Sequence, residues 1–169
     1  MSCAKAESVY LGLGSNLGDS RTLIEEALSQ IAALAEVKLC KVSAFHRTCP
    51  VSDIPQPHFL NAACLLQTTL SPHALYDALH VIEVRLGKRP KPKNAPRLID
   101  IDILLFGTQF VDTGDLSIPH PLWRERLFVL LPLLDITEEI TYPVDRVGTC
   151  ETVQLKKIIE ESFPQHIQF

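Results

Sequence analysis

The chain is poor in the features that mark several large protein classes. It has one tryptophan, one methionine and three tyrosines among 169 residues. Its apolar runs, such as Val129–Leu134 and Ile103–Phe106, fall far short of the ~20 residues a membrane span needs, so no membrane partner is expected. The segment Met1–Glu7 has no apolar stretch, so no secretory signal is expected. The five cysteines, at 3, 40, 49, 64 and 150, include no C-x-x-C pair. That spacing argues against a zinc cage, and an odd number argues against a disulfide framework. Free thiols in a reducing cytoplasm are the expectation. No G-x-x-x-x-G-K-[ST] loop occurs, and in Gly12-x-Gly14-x-x-x-Gly18 the third glycine comes one position late for a dinucleotide fingerprint. These glycines read as turn residues. Neither an internal repeat nor a linker is visible, so a single domain over 1–169 is expected.

The composition that remains is that of an ordinary globular protein, with 46% apolar and 21% charged residues. Net charge is −4, which argues against a general nucleic-acid binder. The average hides a basic cluster. Arg85, Lys88, Arg89, Lys91, Lys93 and Arg97 lie close together with no acid between Val84 and Ile99. Such a stretch faces either water or an anion.

The pattern predicts a strand over Ser8–Gly14, then a helix capped by Ser20 and carrying Leu23, Ile24, Ala27, Leu28, Ile31 and Leu34 at helical spacing. Val37–Phe45 reads as a strand whose alternation slips between Leu39 and Cys40, the mark of a bulge. A proline-rich loop over His46–His58 leads to a strand over Leu60–Leu70. Ser71-Pro72 then pairs a capping hydroxyl with proline at the first helical position, and Gly87 ends that helix. After the basic loop Lys88–Arg97 come a strand over Leu98–Phe106, a short strand over Leu116–Ile118 and the rigid Pro119-His120-Pro121. A short helix near Leu122–Phe128 and a final helix over Thr152–Ser162 complete the reading. The order β-α-β-β-α-β predicts an α+β fold, a ferredoxin-like antiparallel sheet with helices on one face.

Asp100 and Asp102 are the sharpest chemical signal. At i and i+2 of a strand they share one face, on a segment otherwise built of Leu98, Ile99, Ile101, Ile103, Leu104, Leu105 and Phe106. Paired carboxylates there need protonation, hydrogen bonds or a cation, and oxygen donors favour Mg²⁺ held jointly with substrate phosphates. The basic loop just before them completes the inventory of phosphoryl or pyrophosphoryl transfer, and a loop of that length can close over bound phosphates. His120, held between two prolines, is either an ordinary exposed or satisfied histidine or a contact for a phosphate. Arg124 and Arg126 read as surface residues near that turn. Phe59 and Phe128 are either core residues or stacking partners for a flat heterocycle. Asn61, at the start of a buried strand, offers a donor and an acceptor suited to a heterocycle edge, with Thr48 nearby, or it bonds only to backbone.

Five segments occur in order: Leu13-Gly14-Ser15-Asn16-Leu17-Gly18-Asp19, Phe59-Leu60-Asn61-Ala62, Pro96–Leu104 with its P-R-x-x-D-x-D pattern, Ile118-Pro119-His120-Pro121 and Arg126-Leu127-Phe128-Val129-Leu130. From about Val9 to Pro132 the chain resembles the 6-hydroxymethyl-7,8-dihydropterin pyrophosphokinases of folate biosynthesis. The resemblance implies transfer of pyrophosphate from ATP, the co-substrate, to the pterin hydroxymethyl oxygen, with release of AMP and use of two Mg²⁺ ions. It implies that Asp100 and Asp102 are metal ligands and that Arg97 and Lys88 are catalytic cations on ATP phosphates. It places Glu83, Ile103, Ser117, His120 and Arg126 in the ATP site. Phe59 and Phe128 would enclose the pterin, with Asn61, Thr48, the Val51 backbone and Asp100 reading its edge. The implied partners are the small molecules ATP and reduced pterin. Such a domain also occurs fused to, or associated with, the next enzyme of the pathway.

The chain departs from the family pattern in the loop. Gly87 is followed by Lys88-Arg89 where an arginine is usual, Asn94-Ala95 replace Trp-Gly, and the loop is a little shorter. Lysine keeps the charge and loses the planar fork. Two alternatives stay open on the sequence: a catalytically weakened homologue acting as a partner domain, and a ferredoxin-like RNA-binding module using its sheet face.

Overall fold

The structure, a computed structural model, describes residues 5–166. Cys3 lies outside them. The first strand, β1, runs Glu7–Ser15 and leads into helix α1, Ser20–Ala32. Its cap is Asp19, not Ser20: the Asp19 carboxylate accepts from the Thr22 amide at 3.1 Å, while Ser20 is the first helical residue and meets the Ser15 hydroxyl. A carboxylate suits a helix N-terminus because the dipole there is positive. Strand β2, Val37–Val42, pairs with a register shift between Leu39 and Lys41, which makes Cys40 the expected bulge. Within the predicted proline-rich loop, β3, His46–Thr48, is a short extra strand. It pairs with β4, Phe59–Thr68. Helix α2, Pro72–Arg85, is capped by Ser71, which accepts from the Ala74 amide as its sequence promised. Gly87 leaves the helix at φ +99°, a conformation that favours glycine.

Strand β5, Asp100–Phe106, completes a sheet ordered β2-β4-β1-β5, antiparallel throughout, with β3 beside β4. This is the ferredoxin-like order. One face carries Val9, Leu11, Leu13, Cys64 and Leu66, packed on Ile24, Leu28, Leu75 and Ile82 of α1 and α2. The other face is not left open. A small hairpin of β6, Val111–Asp112, and β7, Ser117–Ile118, leads through Pro119-His120-Pro121 to helix α3, Leu127–Ile136. A second hairpin follows, β8 (Glu139–Pro143) with β9 (Cys150–Gln154), and then helix α4, Leu155–Ser162. Leu130, Leu133, Ile158 and Ile159 pack with Ala63, Leu104 and Leu105 over the second face. A register shift between β1 and β5 lets the adjacent Leu104 and Leu105 both join this layer.

The helix expected near Leu122–Phe128 therefore begins later, and α4 begins after β9 has used Thr152 and Val153. Helix α3 is apolar around most of its circumference because it is covered by the sheet on one side and by α4 on the other, so it shows no amphipathic stripe. The β8–β9 hairpin holds the segment after His120 in place. Trp123 meets the Tyr142 ring edge-on with centroids 5.2 Å apart, the Arg124 guanidinium donates to the Tyr142 hydroxyl, and that hydroxyl donates to Glu151. Asp135 accepts from the Ala44 amide and pairs with His46, tying α3 to the start of β3. With one face covered by α1 and α2 and the far half of the other by α3 and α4, the sheet offers no broad open platform for RNA. No helix among the described residues is long and apolar enough to cross a membrane.

Candidate active site

Alternation along β5 sends Ile101 and Ile103 into the α1–α2 core and Asp100 and Asp102 to the opposite face. Across the ladder on β1, Gly14 pairs with Asp100 and Gly12 with Asp102. These two glycines lie within a strand, which corrects their reading as turn residues; only Gly18, at φ +72°, is one. Their use is spatial. A Cβ at Gly14 would lie 3.1 Å from the Asn61 Oδ1, and one at Gly12 would press on Leu104 at 3.4 Å. Gly12 makes room for Leu104, and Gly14 keeps the space beside Asn61 and Phe59 clear.

Two of the clustered cations face inward. The Lys88 Nζ lies 2.8 Å from Glu83 Oε1 and 2.9 Å from Asp100 Oδ1. The Arg97 guanidinium lies 3.0 Å from Asp100 Oδ2. Arg89, Lys91 and Lys93 are exposed. Glu83 is buried, and its carboxylate is committed to the Ile101 amide at 2.7 Å as well as to Lys88. Burial raises the Glu83 pKa, against the pull of Lys88 and the amide. For Lys88, burial works against the charge, but hydrogen bonds to Glu83 and Asp100 outweigh it and raise its pKa. Asp102 is open to solvent, yet the cleft walls displace much of the surrounding water. That desolvation, with the charge of Asp100, raises its pKa, opposed by His120, Lys88 and Arg126.

Beside Asp102 opens a cavity of about 300 Å³ that brings Ile103, Ser117 and His120 together with Tyr76, Asp115, Leu116 and Pro121. The His120 Nδ1 accepts from the Leu122 amide, and its backbone amide donates to the Leu104 carbonyl. These bonds fix the ring and leave Nε2 as its outward nitrogen. Burial lowers the His120 pKa, opposed by Asp102 and reinforced by Arg126. Arg126 does not line this cavity; its guanidinium lies 5.6 Å from the centre of the Phe128 ring. A second cavity, about 430 Å³, runs beneath the basic loop between His80, Lys88, Arg97 and Asp100.

On the other side of the carboxylates, Asn61 is 5% exposed and donates to the Thr48 hydroxyl at 2.7 Å, so it does not bond only to backbone. Phe59 and Phe128 are half-buried, and neither belongs to either apolar core. That removes the core reading of both rings. Val51 is 83% exposed on the loop between β3 and β4.

Asn16 is a site residue that spacing did not single out. Its side chain donates to Gln56 Oε1 at 2.8 Å and to the Pro57 carbonyl at 3.0 Å, and accepts from the Arg97 amide at 2.8 Å. Gln56 in turn donates to the Asn94 carbonyl at 3.0 Å. The loop after β3 and the basic loop are thus tied to each other and to the end of β1. The signal was a polar side chain just after a buried strand. Tyr76, on α2, was missed because it appears in sequence only as one more aromatic.

Among the described residues no group of three or more His, Cys, Asp or Glu is arranged to hold a metal unaided. Two neighbouring carboxylates, Asp100 held by Lys88 and Arg97 and Asp102 open to solvent, still fit a hard divalent cation whose remaining ligands are phosphate oxygens and water. A ferredoxin-like α+β sheet bearing paired carboxylates between inward cations, a cleft and two non-core aromatic rings defines a phosphate-transferring enzyme. Comparison with known proteins supplies the particular case. The chain belongs to the 7,8-dihydro-6-hydroxymethylpterin-pyrophosphokinase family, whose model matches residues 10–138. These are ATP-dependent diphosphotransferases of folate biosynthesis. The chain is 39% identical over 140 residues to a 2-amino-4-hydroxy-6-hydroxymethyldihydropteridine pyrophosphokinase of Pseudomonas aeruginosa, covering 83% of this chain and 86% of that protein. It is 36% identical over 163 residues to the folic acid synthesis protein fol1 of Pneumocystis carinii, covering 96% of this chain but 22% of the relative. The fold matches the wild-type HPPK-DHPS of Plasmodium falciparum, solved with pterin and p-hydroxybenzoate, with a TM-score of 0.68 at 15% identity. That match covers 99% of this chain and 46% of the other. The chain thus spans less than half the length of these last two relatives.

Proposed function

We propose that residues 1–169 form one catalytic domain that transfers the β,γ-pyrophosphoryl group of ATP to the hydroxymethyl oxygen of 6-hydroxymethyl-7,8-dihydropterin. The pterin hydroxyl oxygen forms a bond to the β-phosphorus and its proton is released to solvent, the bond from that phosphorus to the α–β bridging oxygen breaks, and AMP leaves. The observation that carries this reading is the position of Asp100 and Asp102, clear of side chains on the β1 side, with a polar cleft on one side and Asn61 with the non-core phenylalanines on the other.

In this reading Ile103 and Ser117 line the nucleotide cleft, and His120 offers Nε2 to a phosphate. Arg97 and Lys88 move from carboxylate to phosphate and hold the charge that grows on its oxygens. Arg126 adds positive field at Asp102 and His120. Glu83 anchors the start of β5 through the Ile101 amide. Phe59 and Phe128 hold the pterin ring, while Asn61, Thr48, the Val51 backbone and Asp100 read its polar edge. Asp100 and Asp102 would hold two Mg²⁺ ions together with the phosphates; when bound, these neutralise phosphate charge and polarise the reacting centre. The protein's own share is positioning, and exclusion of water by the two tied loops.

A cytoplasmic location and association with the next enzyme of the pathway belong to the same proposal. Relatives named as the bifunctional protein FolKE of Lactococcus lactis and HPPK-DHPS of Plasmodium falciparum support the latter only in its coarser form, that such a domain occurs joined to another folate enzyme. A coupled AMP-release assay with Mg²⁺ tests the reaction. AMP should appear only when the reduced pterin is present, and AMP release indifferent to pterin would overturn the reading.

A further inference from the structure

Lys88 is held differently from the rest of the basic cluster. Its place is set by the end of α2: the Gly87 amide donates to the Val84 carbonyl and the Lys88 amide to the Glu83 carbonyl, each at 3.0 Å. The side chain therefore starts from a fixed point and reaches across to β5. There its ammonium bridges Glu83 Oε1 at 2.8 Å and Asp100 Oδ1 at 2.9 Å. Arg97 engages both oxygens of Asp100, at 3.2 and 3.0 Å. Asp100 is thus saturated by the chain's own cations, while Asp102, on the same face, is open to solvent with no cation in contact among the described ion pairs.

A compact ammonium between two carboxylates occupies the same electrostatic well that a hard divalent cation would seek. Resting on the reading that Asp100 and Asp102 hold the metal, we propose that Lys88 is a resident counter-ion. It keeps a free divalent cation off Asp100 and withdraws only when phosphates arrive to receive it. Lysine suits this exchange because its charge sits at the tip of a flexible four-carbon stem with freely rotating donors. The consequence is a coupling between two ligands: nucleotide draws Lys88 away and so strengthens metal binding, and metal strengthens nucleotide binding by the same factor.

The test is direct Mn²⁺ binding to the 169-residue protein, followed by the loss of the free-ion paramagnetic resonance signal, with and without a non-hydrolysable ATP analogue. Without nucleotide, Lys88→Met should bind Mn²⁺ at least ~10-fold more tightly than the unaltered protein, since one unit charge in contact with the site has been removed. With the analogue bound, the difference should shrink or reverse. Circular dichroism confirms folding, and Lys88→Gln serves if Lys88→Met does not fold. Equal Mn²⁺ affinity without nucleotide would overturn the counter-ion role. Asp102→Asn, alone and combined with Lys88→Met, separates this from the parent reading. Mn²⁺ binding that survives Asp102→Asn unchanged sinks the metal assignment itself, whatever Lys88 does.

Discussion

Along β5, Ile101 and Ile103 face α2 and are buried, while Asp100 and Asp102 face the other way, toward glycine on β1. The α1–α2 face is filled by branched aliphatic side chains and carries stability. The opposite face is filled only over its far half, where Leu104 and Leu105 meet α3 and α4. Its near half is left clear beside Gly14 and rimmed by Asn61 and Thr48. One strand thus belongs to a core on one side and to a reaction site on the other. Damage to the two sides should therefore separate into loss of fold and loss of turnover.

The largest effect expected is on the ligand side. Asp102→Ala should lower AMP release on the order of 10³-fold, the scale of losing a principal electrostatic group, while the melting temperature holds or rises as repulsion from Asp100 is relieved. Near-normal turnover in that variant would erase the distinction between the faces. The core side has a comparable chemical signature. Burial pushes the Cys64 thiol from 9.0 up to about 12. The raised value keeps the thiol protonated at pH 8, and burial denies reagents access to it, so its alkylation should be slow. Cys40, Cys49 and Cys150 are exposed and should label first. Mass mapping of labelled peptides, native against urea-unfolded, reads this, and native labelling of Cys64 at the rate of the others would mean an open core.

Leu66→Ala, also on the α1–α2 face, should cost about 3 kcal/mol of stability through lost burial and a cavity. Urea denaturation measures it, and KM for both substrates should stay unchanged in the molecules that remain folded. A large KM change would show that the two faces are not independent. Phe59→Ala and Phe128→Ala should have a smaller effect, confined to one ligand. Pterin affinity should fall about 10- to 100-fold, with ATP affinity and melting temperature little altered, because stacking is worth about 1–3 kcal/mol per ring. Titration calorimetry with each ligand decides between stacking and packing roles.

Local chemistry alone announced several of these features. Ser71-Pro72 named a helix start because the capping hydroxyl and the preset proline φ act within one turn. Cys40 broke an alternation that pairing could absorb only as a bulge. Asp100 and Asp102 stood out because two charges in an apolar strand need a partner. Other features had no local signature. Helix α3 is covered on more than one side and so shows no stripe, and β8 and β9 pair to cover a layer that the first half of the chain does not reveal. Gly12 and Gly14 read as turn residues because their use, clearance above a neighbouring strand, depends on which strand lies beside them.

By itself, then, the order of strands and helices, the paired carboxylates and the basic loop, together with the motifs that carry the family resemblance, determined the class of fold and of reaction, because each rests on spacing within a few residues. The motifs singled out Lys88 and Arg97 among the clustered cations, and only the tertiary structure decided what those two touch. Only there do Asn16, Gln56 and Asn94 tie two loops together, with Asn16 40 residues from Gln56 and 81 from Arg97. Only there does Lys88 meet Asp100. Such contacts depend on the packing of α2 against β5 and of β1 between β4 and β5, and no spacing along the chain encodes a distance set by the fold.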